Sequence, residues 1–290
     1  MAHIFIALEN PQSMLGYTKK AENFPKGFTK PKFSFESQEE LTRGGLEQKA
    51  KRNEKKYAAR NVYMDKYKAE QKEDPFSDDP TRAADRAVAE EFCKANLSAR
   101  MAQAGSLVTL MKTMIWYKEQ ESCTFHTVVF LGHGNTDVMA VGSGRAHFVE
   151  ESRKIFNAAK REITVGNAAV WSMYFEEAAK QGCFTADADG RLHILLLGCL
   201  TGADEGKNSV INVLAVTLNR VLNMKVAAYG PTVSIDSADT KKILDHLAAI
   251  KIECAADNNY WEIGKLERGA DEESDPLGLG AKYLRASCAG

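Results

Sequence analysis

Hydrophobic positions along the chain form two patterns, short apolar runs and helical stripes, which alternate in the second half of the sequence. Four apolar runs are typical of buried strands: HIFIAL at 3–8, FHTVVFL at 125–131, LHILLL at 192–197 and KVAAYG at 225–230. Between the later runs, the spacing favours helices near 150–180 and 207–222. Strands that alternate with helices form parallel crossover units, so the pattern predicts an α/β fold with a mainly parallel sheet flanked by helices.

Two further helices are predicted before the strand at 125–131. Asp79 can cap the free amides of a helix whose first position is Pro80, so a helix is expected to begin near residue 80. An apolar stripe after Gly105 predicts another helix that packs on the sheet, formed by Leu107, Leu110, Met111, Met114 and Ile115.

The N-terminal portion has a different composition. A Pro-, Gly- and Lys-rich stretch runs to about residue 33, and residues 36–73 are highly charged, which predicts a linker and one or two solvated helices. We therefore divide the chain into residues 1–80, a short strand with a charged linker and helical region, and residues 81–290, the α/β domain. The N-terminal portion is a candidate inhibitory or sensing element, and an activating or regulatory protein is a candidate partner of the chain.

Charge and cysteine content narrow the class of protein. The 290 residues include 38 basic and 39 acidic side chains, a formal net charge of -1, which gives no reason to expect nucleic acid or a membrane surface as a partner. No Sec-type signal and no membrane-spanning run are visible, so we expect a cytoplasmic protein or one delivered into a host cell without such a signal. The six cysteines lack metal-ligand spacing, which predicts no metal or other cofactor and favours a reducing compartment.

Two reactive side chains follow two of the predicted strands. VVFL runs into Gly132-His133-Gly134, and ILLL runs into Gly198-Cys199. Open α/β sheets bind ligands at the carboxyl ends of their strands, so adjacent strands would bring His133 and Cys199 together as acid/base and nucleophile. A cysteine after an apolar strand is by default a core thiol. Packing alone, however, does not explain a histidine between two glycines. The combination of His133 and Cys199 therefore predicts catalysis.

These segments resemble a known superfamily. ESCTFHTVVFLGHG and LHILLLGCLTG are similar to the two signature blocks of the caspase-like cysteine peptidases, which include caspases, metacaspases, legumain, clostripain, gingipains, separase and CHAT-domain proteases. In both blocks four hydrophobic residues and one further residue precede His-Gly or Cys. The resemblance covers roughly residues 106–235, and the ending Cys-Leu-Thr-Gly is similar to that of CHAT and metacaspase members.

The resemblance implies a caspase-like fold and a cysteine endopeptidase that acts on protein substrates, such as a bacterial CHAT-like effector or defence protease. Cys199 would attack the scissile carbonyl, the amides of Gly134 and Cys199 would stabilise the oxyanion, and His133 would protonate the leaving amine, with no third side chain required. Leu197 stands where metacaspases have an aspartate that contacts basic substrates, so that specificity is not implied. Asp204 and Asp236 are candidates for substrate binding because they follow predicted strands.

Two alternatives remain open from the sequence. An α/β-hydrolase with a cysteine nucleophile would have small residues two positions before and after it, where this chain has Leu197 and Thr201. A pseudoenzyme or scaffold would keep the fold and recruit partners through the charged N-terminal portion, but the intact His133, Gly134 and Cys199 argue against it.

Overall fold

The computed structural model describes residues 2–9, 24–31, 33, 80–141, 162–203, 209–247 and 284–290. Its strands are β1 (Ala2–Glu9), β2 (Ala99–Ala104), β3 (Thr124–Leu131), β4 (Val138–Ala140), β5 (Glu162–Thr164), β6 (Arg191–Leu197), β7 (Lys225–Pro231) and β8 (Leu284–Ala289). Its helices are α1 (Pro80–Ala95), α2 (Leu107–Glu121), α3 (Ala168–Lys180), α4 (Val210–Leu222) and α5 (Ser237–Asp245).

Six of the strands form one sheet in the order β2-β1-β3-β6-β7-β8. The five strands from β2 to β7 run parallel, and β8 pairs antiparallel with β7 at the edge. β4 and β5 form a separate antiparallel pair. The predicted α/β fold with a mainly parallel sheet is therefore confirmed. β1, which we grouped with the N-terminal portion, lies inside this sheet between β2 and β3.

The sheet is buried on both faces, which explains why its central strands are almost continuously apolar. Alternate residues of β6 belong to different cores, with Ile194 and Leu196 on one face and Leu195 and Leu197 on the other. Helices α2, α3 and α4 cover the first face with buried side chains that include Leu110, Met114, Trp171, Phe175, Leu214 and Leu218. Helices α1 and α5 cover the second face with Ala89, Ile243 and Leu244.

Capping residues fix where the helices begin and end. The Ser106 side chain accepts from Thr109 N and starts α2, and Ser209 likewise accepts from Asn212 N and starts α4. For this reason α4 begins at Val210 and not at the predicted residue 207. Ser122 ends α2 and Asn223 ends α4, both in the left-handed conformation.

Several elements differ from the sequence prediction. β2, the β4–β5 pair, α5 and β8 were not among the elements predicted above. We predicted a helical stretch at 150–180. The described residues of this stretch form the strand β5 and then a helix that begins at Ala168. The charged helices predicted at 36–73, the Asp79 cap and Asp204 lie outside the described residues.

Part of the stretch predicted as a linker packs on the domain. Phe24 stacks on Phe28, whose ring meets the edge of Trp116 on α2 with centroids 6.2 Å apart. Phe33 is buried and stacks on Tyr174 of α3. These residues therefore belong to the core on the α2–α3 face. No helix in the described ranges is long and apolar enough to cross a membrane.

Candidate active site

Three neighbouring strands end at the same level of the sheet. Leu8 of β1 pairs with Leu131 of β3, which in turn pairs with Leu197 of β6. His133 and Cys199 each lie two positions beyond these paired leucines. The parallel register therefore places both residues at equivalent positions beyond the carboxyl ends of the strands. This is the arrangement that the sequence predicted for adjacent strands.

The loops that carry the two side chains touch through their glycines. A Cβ atom built on Gly198 would lie 2.9 Å from Gly134 N, and one built on Gly134 would lie 3.1 Å from Gly198 Cα. Any side chain at either position would push the two backbones apart. Close packing of these loops therefore depends on the two glycines, one beside His133 and one beside Cys199.

The amide predicted as an oxyanion donor is not used by the secondary structure. The His133 carbonyl accepts from Ala140 N at 2.8 Å, and Asn135 N donates to the Val138 carbonyl at 2.9 Å. These bonds flank Gly134, whose own N–H does not take part in the hydrogen bonding of this antiparallel bridge. Among the described residues, neither the Gly134 amide nor the Cys199 amide donates to a backbone carbonyl.

The loop after β6 is fixed by the chain that leaves β7. Leu200 N donates to the Val233 carbonyl at 3.2 Å, and Gly202 N donates to the Pro231 carbonyl at 2.8 Å. Leu200 adopts the left-handed conformation with φ 63°, which is unfavourable for a residue with a side chain. The loop thus holds a strained backbone directly after the candidate nucleophile.

Thr201 braces the same loop from inside. Its side chain is fully buried, and its hydroxyl donates to the carbonyls of Leu196 at 2.6 Å and Gly198 at 3.1 Å. Because this hydroxyl is buried and hydrogen-bonded to two carbonyls, the Thr201 side chain cannot rotate at low cost. Thr201 therefore supports the turn that presents Cys199.

Cys199 is partly exposed, and its Sγ contacts the Ile235 carbonyl at 3.9 Å. In the described part of the chain, the thiol forms no direct hydrogen bond with the His133 imidazole. Catalytic hydrogen bonds are often long without substrate and tighten when it binds. The lack of a direct hydrogen bond between Cys199 and His133 is therefore compatible with a catalytic dyad.

A buried carboxylate that the sequence analysis missed contacts His133. Glu9 Oε2 accepts from His133 Nδ1 at 2.9 Å and from the His133 backbone N–H at 2.7 Å. The Glu9 side chain is 8% exposed, whereas that of His133 is 48% exposed. A Cβ on Gly132 would lie 2.9 Å from Glu9 Oε2, so this glycine makes room for the carboxylate. The sequence feature that could have identified Glu9 is its position directly after a predicted strand.

The other free thiols in the described residues are less suited to act as nucleophiles. Burial raises the pKa of Cys93 to about 11 and that of Cys183 to about 12. Burial also raises the pKa of Cys123. At neutral pH these groups hold little of the reactive thiolate. Cys288 is disulfide-bonded, which does not agree with the reducing compartment that the cysteine spacing favoured.

Two histidines within the strands have structural partners. His193 is fully buried, with Nδ1 2.8 Å from the Tyr229 hydroxyl and Nε2 3.0 Å from Asp189. His126 Nδ1 lies 2.8 Å from the Thr127 hydroxyl. These contacts give both histidines a role within the sheet and its loops.

Of the two carboxylates predicted to bind substrate, the structure describes Asp236. Its side chain accepts from the amides of Ala238 and Asp239 and caps α5. It directly follows Ile235, the residue whose carbonyl contacts Cys199, so it lies next to the site. Asp204 lies outside the described residues.

The described residues define an α/β protein in which the carboxyl ends of three parallel strands bring together a Glu–His pair and a partly exposed cysteine. No protein-family model, curated protein or solved structure matches this chain.

Proposed function

We propose that the protein is a cysteine endopeptidase of the caspase-like kind, with Cys199 as nucleophile and His133 as general acid and base. The observation that carries the proposal is the position of the two side chains at equivalent positions beyond adjacent parallel strands, on loops whose glycines touch. The signature-like sequences around both residues support the same conclusion.

In the proposed reaction, His133 takes the proton of the Cys199 thiol, and the resulting thiolate attacks the scissile carbonyl carbon and forms a C–S bond. The oxyanion accepts from the amides of Gly134 and Cys199, which have no backbone acceptor among the described residues. His133 gives a proton to the leaving amine as the C–N bond breaks. It then takes a proton from water as the water oxygen attacks the thioester. The C–S bond breaks, the carboxylic acid product leaves, and His133 returns the proton to the Cys199 thiolate.

The substrate in this proposal is a protein, and no cofactor takes part. The loop from Pro231 to Ile235 contacts both Cys199 and the residues that follow it, so we assign this loop to the substrate cleft. Asp236 at its end, and Asp204, which follows Cys199 in the sequence, remain candidates for contacts with the substrate. A role as a CHAT-like effector or defence protease, with an activating partner, rests on the sequence resemblance.

Hydrolysis of a diversified fluorogenic peptide library under reducing conditions tests the proposal. We expect turnover by the wild type and none by Cys199→Ala or His133→Ala. Cys183→Ala serves as the matched control, because this second thiol is buried on the α2–α3 side and should be dispensable. Turnover that survives in Cys199→Ala would contradict the assignment, and hydrolysis of small esters but not of peptides would favour the cysteine-nucleophile hydrolase.

A further inference from the structure

Glu9 is a buried carboxylate for which the dyad mechanism has no role. It lies at the carboxyl end of β1, one residue beyond Leu8 in the register that aligns β1 with β3. Its side chain is 8% exposed, although burying a charged group is costly unless it is paired. Glu9 pairs with His133, which one Glu9 oxygen contacts through both the backbone N–H and the ring.

This contact determines which ring nitrogen can work on the substrate. A carboxylate only accepts hydrogen bonds, so the Nδ1 atom 2.9 Å away must carry the proton that it donates. In the neutral imidazole, Nε2 is then the unprotonated nitrogen. The bond from the backbone N–H to the same oxygen fixes the carboxylate relative to the chain, and thereby fixes the plane of the ring.

The surroundings of Glu9 are built to hold it in place. Gly132 has no side chain where a Cβ would lie 2.9 Å from both Glu9 Cβ and Oε2. β1 is an interior strand with a partner on either side, so its end is fixed more firmly than a free loop would be.

We propose that Glu9 is a positioning residue that holds His133 with Nδ1 protonated, so that Nε2 exchanges protons with Cys199, the leaving amine and water. The proposal rests on the proposed function and adds a third side chain to the dyad. The negative charge of Glu9 also stabilises the imidazolium that forms when Nε2 takes a proton. Glu9 does not touch the substrate and acts through His133.

The test compares Glu9→Leu, which removes the acceptor, with Glu9→Gln, which keeps an acceptor oxygen without the charge. For Glu9→Leu we expect kcat to fall about 100-fold with little change in KM, because a misplaced catalytic group costs about that factor. Glu9→Gln should lose less. Gln103→Ala is the matched control, since it removes a hydrogen bond to Glu9 but leaves the carboxylate, and it should keep kcat within about twofold.

A second readout does not depend on turnover. In long-range ¹H–¹⁵N spectra of histidine-labelled protein at alkaline pH, the His133 signals, assigned with His133→Ala, should show Nδ1 protonated in the wild type. Glu9→Leu should lose this preference and Gln103→Ala should keep it. Turnover by the wild type together with an unchanged tautomer in Glu9→Leu would overturn the proposal and leave the endopeptidase intact. The expected tautomer change in a protein that cleaves no peptide would support the positioning role and contradict the endopeptidase.

Discussion

Gly134→Ala should separate the two loops of the site. The added Cβ would lie 2.6 Å from Thr201 Cγ2 and 3.1 Å from Gly198 Cα, well inside the roughly 3.5–4.0 Å of an ordinary carbon contact. Thr201 is fully buried and its hydroxyl is bound to two carbonyls, so it cannot move aside at low cost. Overpacking of this kind costs about 1–3 kcal/mol of stability. The loop shift would also displace an oxyanion donor, for which a loss of about 100-fold in kcat is expected.

Urea unfolding and peptide turnover measure the two effects separately. Gly166→Ala is the matched control, because nothing lies within 4 Å of a Cβ at that position, and it should be at least as stable as the wild type. Thr201→Ser keeps the hydroxyl but removes the clashing methyl group, so it should recover part of the loss when combined with Gly134→Ala. Wild-type stability and turnover in Gly134→Ala would refute the loop contact on which the site depends. The loop contact would also be refuted if Thr201→Ser recovered none of the stability or turnover that Gly134→Ala loses.

The other predictions concern the backbone after the nucleophile and the reactivity of the thiols. Leu200→Val should lower the free energy of unfolding by about 1 kcal/mol or more, because a β-branched residue is strained at φ 63°, whereas Leu200→Asn should cost less; equal losses in urea titrations would contradict this reasoning. At about pH 8, iodoacetamide should modify Cys199 before Cys93 and Cys183, whose pKa values of about 11 and about 12 leave roughly 0.1% and 0.01% thiolate. Peptide mass spectrometry follows the order, and the delay in Cys93 labelling should become smaller as the pH approaches 11. Early labelling of Cys93 or Cys183 at pH 8 would be inconsistent with their burial.

The central strands could be predicted because burial on both faces leaves a strong apolar signal. β3, β6 and β7 lie inside the sheet, and the predicted runs match them within a residue or two. The sequence ARMAQA of β2 gave no such signal, because this edge strand carries Arg100 and Gln103 among small residues. β8, at the opposite edge, is equally short and mixed in polarity.

The candidate site was predictable only as far as local patterns reach. His133 and Cys199 each follow an apolar run and a glycine, so each could be identified from a few neighbouring residues. Glu9 contacts His133 across 124 positions of sequence, and the contact depends on β1 being inserted beside β3. Strand order of this kind is set by the packing of the whole domain, and the apolar pattern of β1 does not encode it.

The most direct test of the endopeptidase is to incubate the wild type and Cys199→Ala with a proteome-derived peptide library and to identify the new peptide ends by mass spectrometry. We expect cleavage by the wild type at bonds that share a preferred residue before the cut, and none of these cuts by Cys199→Ala. The same cuts by both proteins, or no cuts by the wild type, would contradict it.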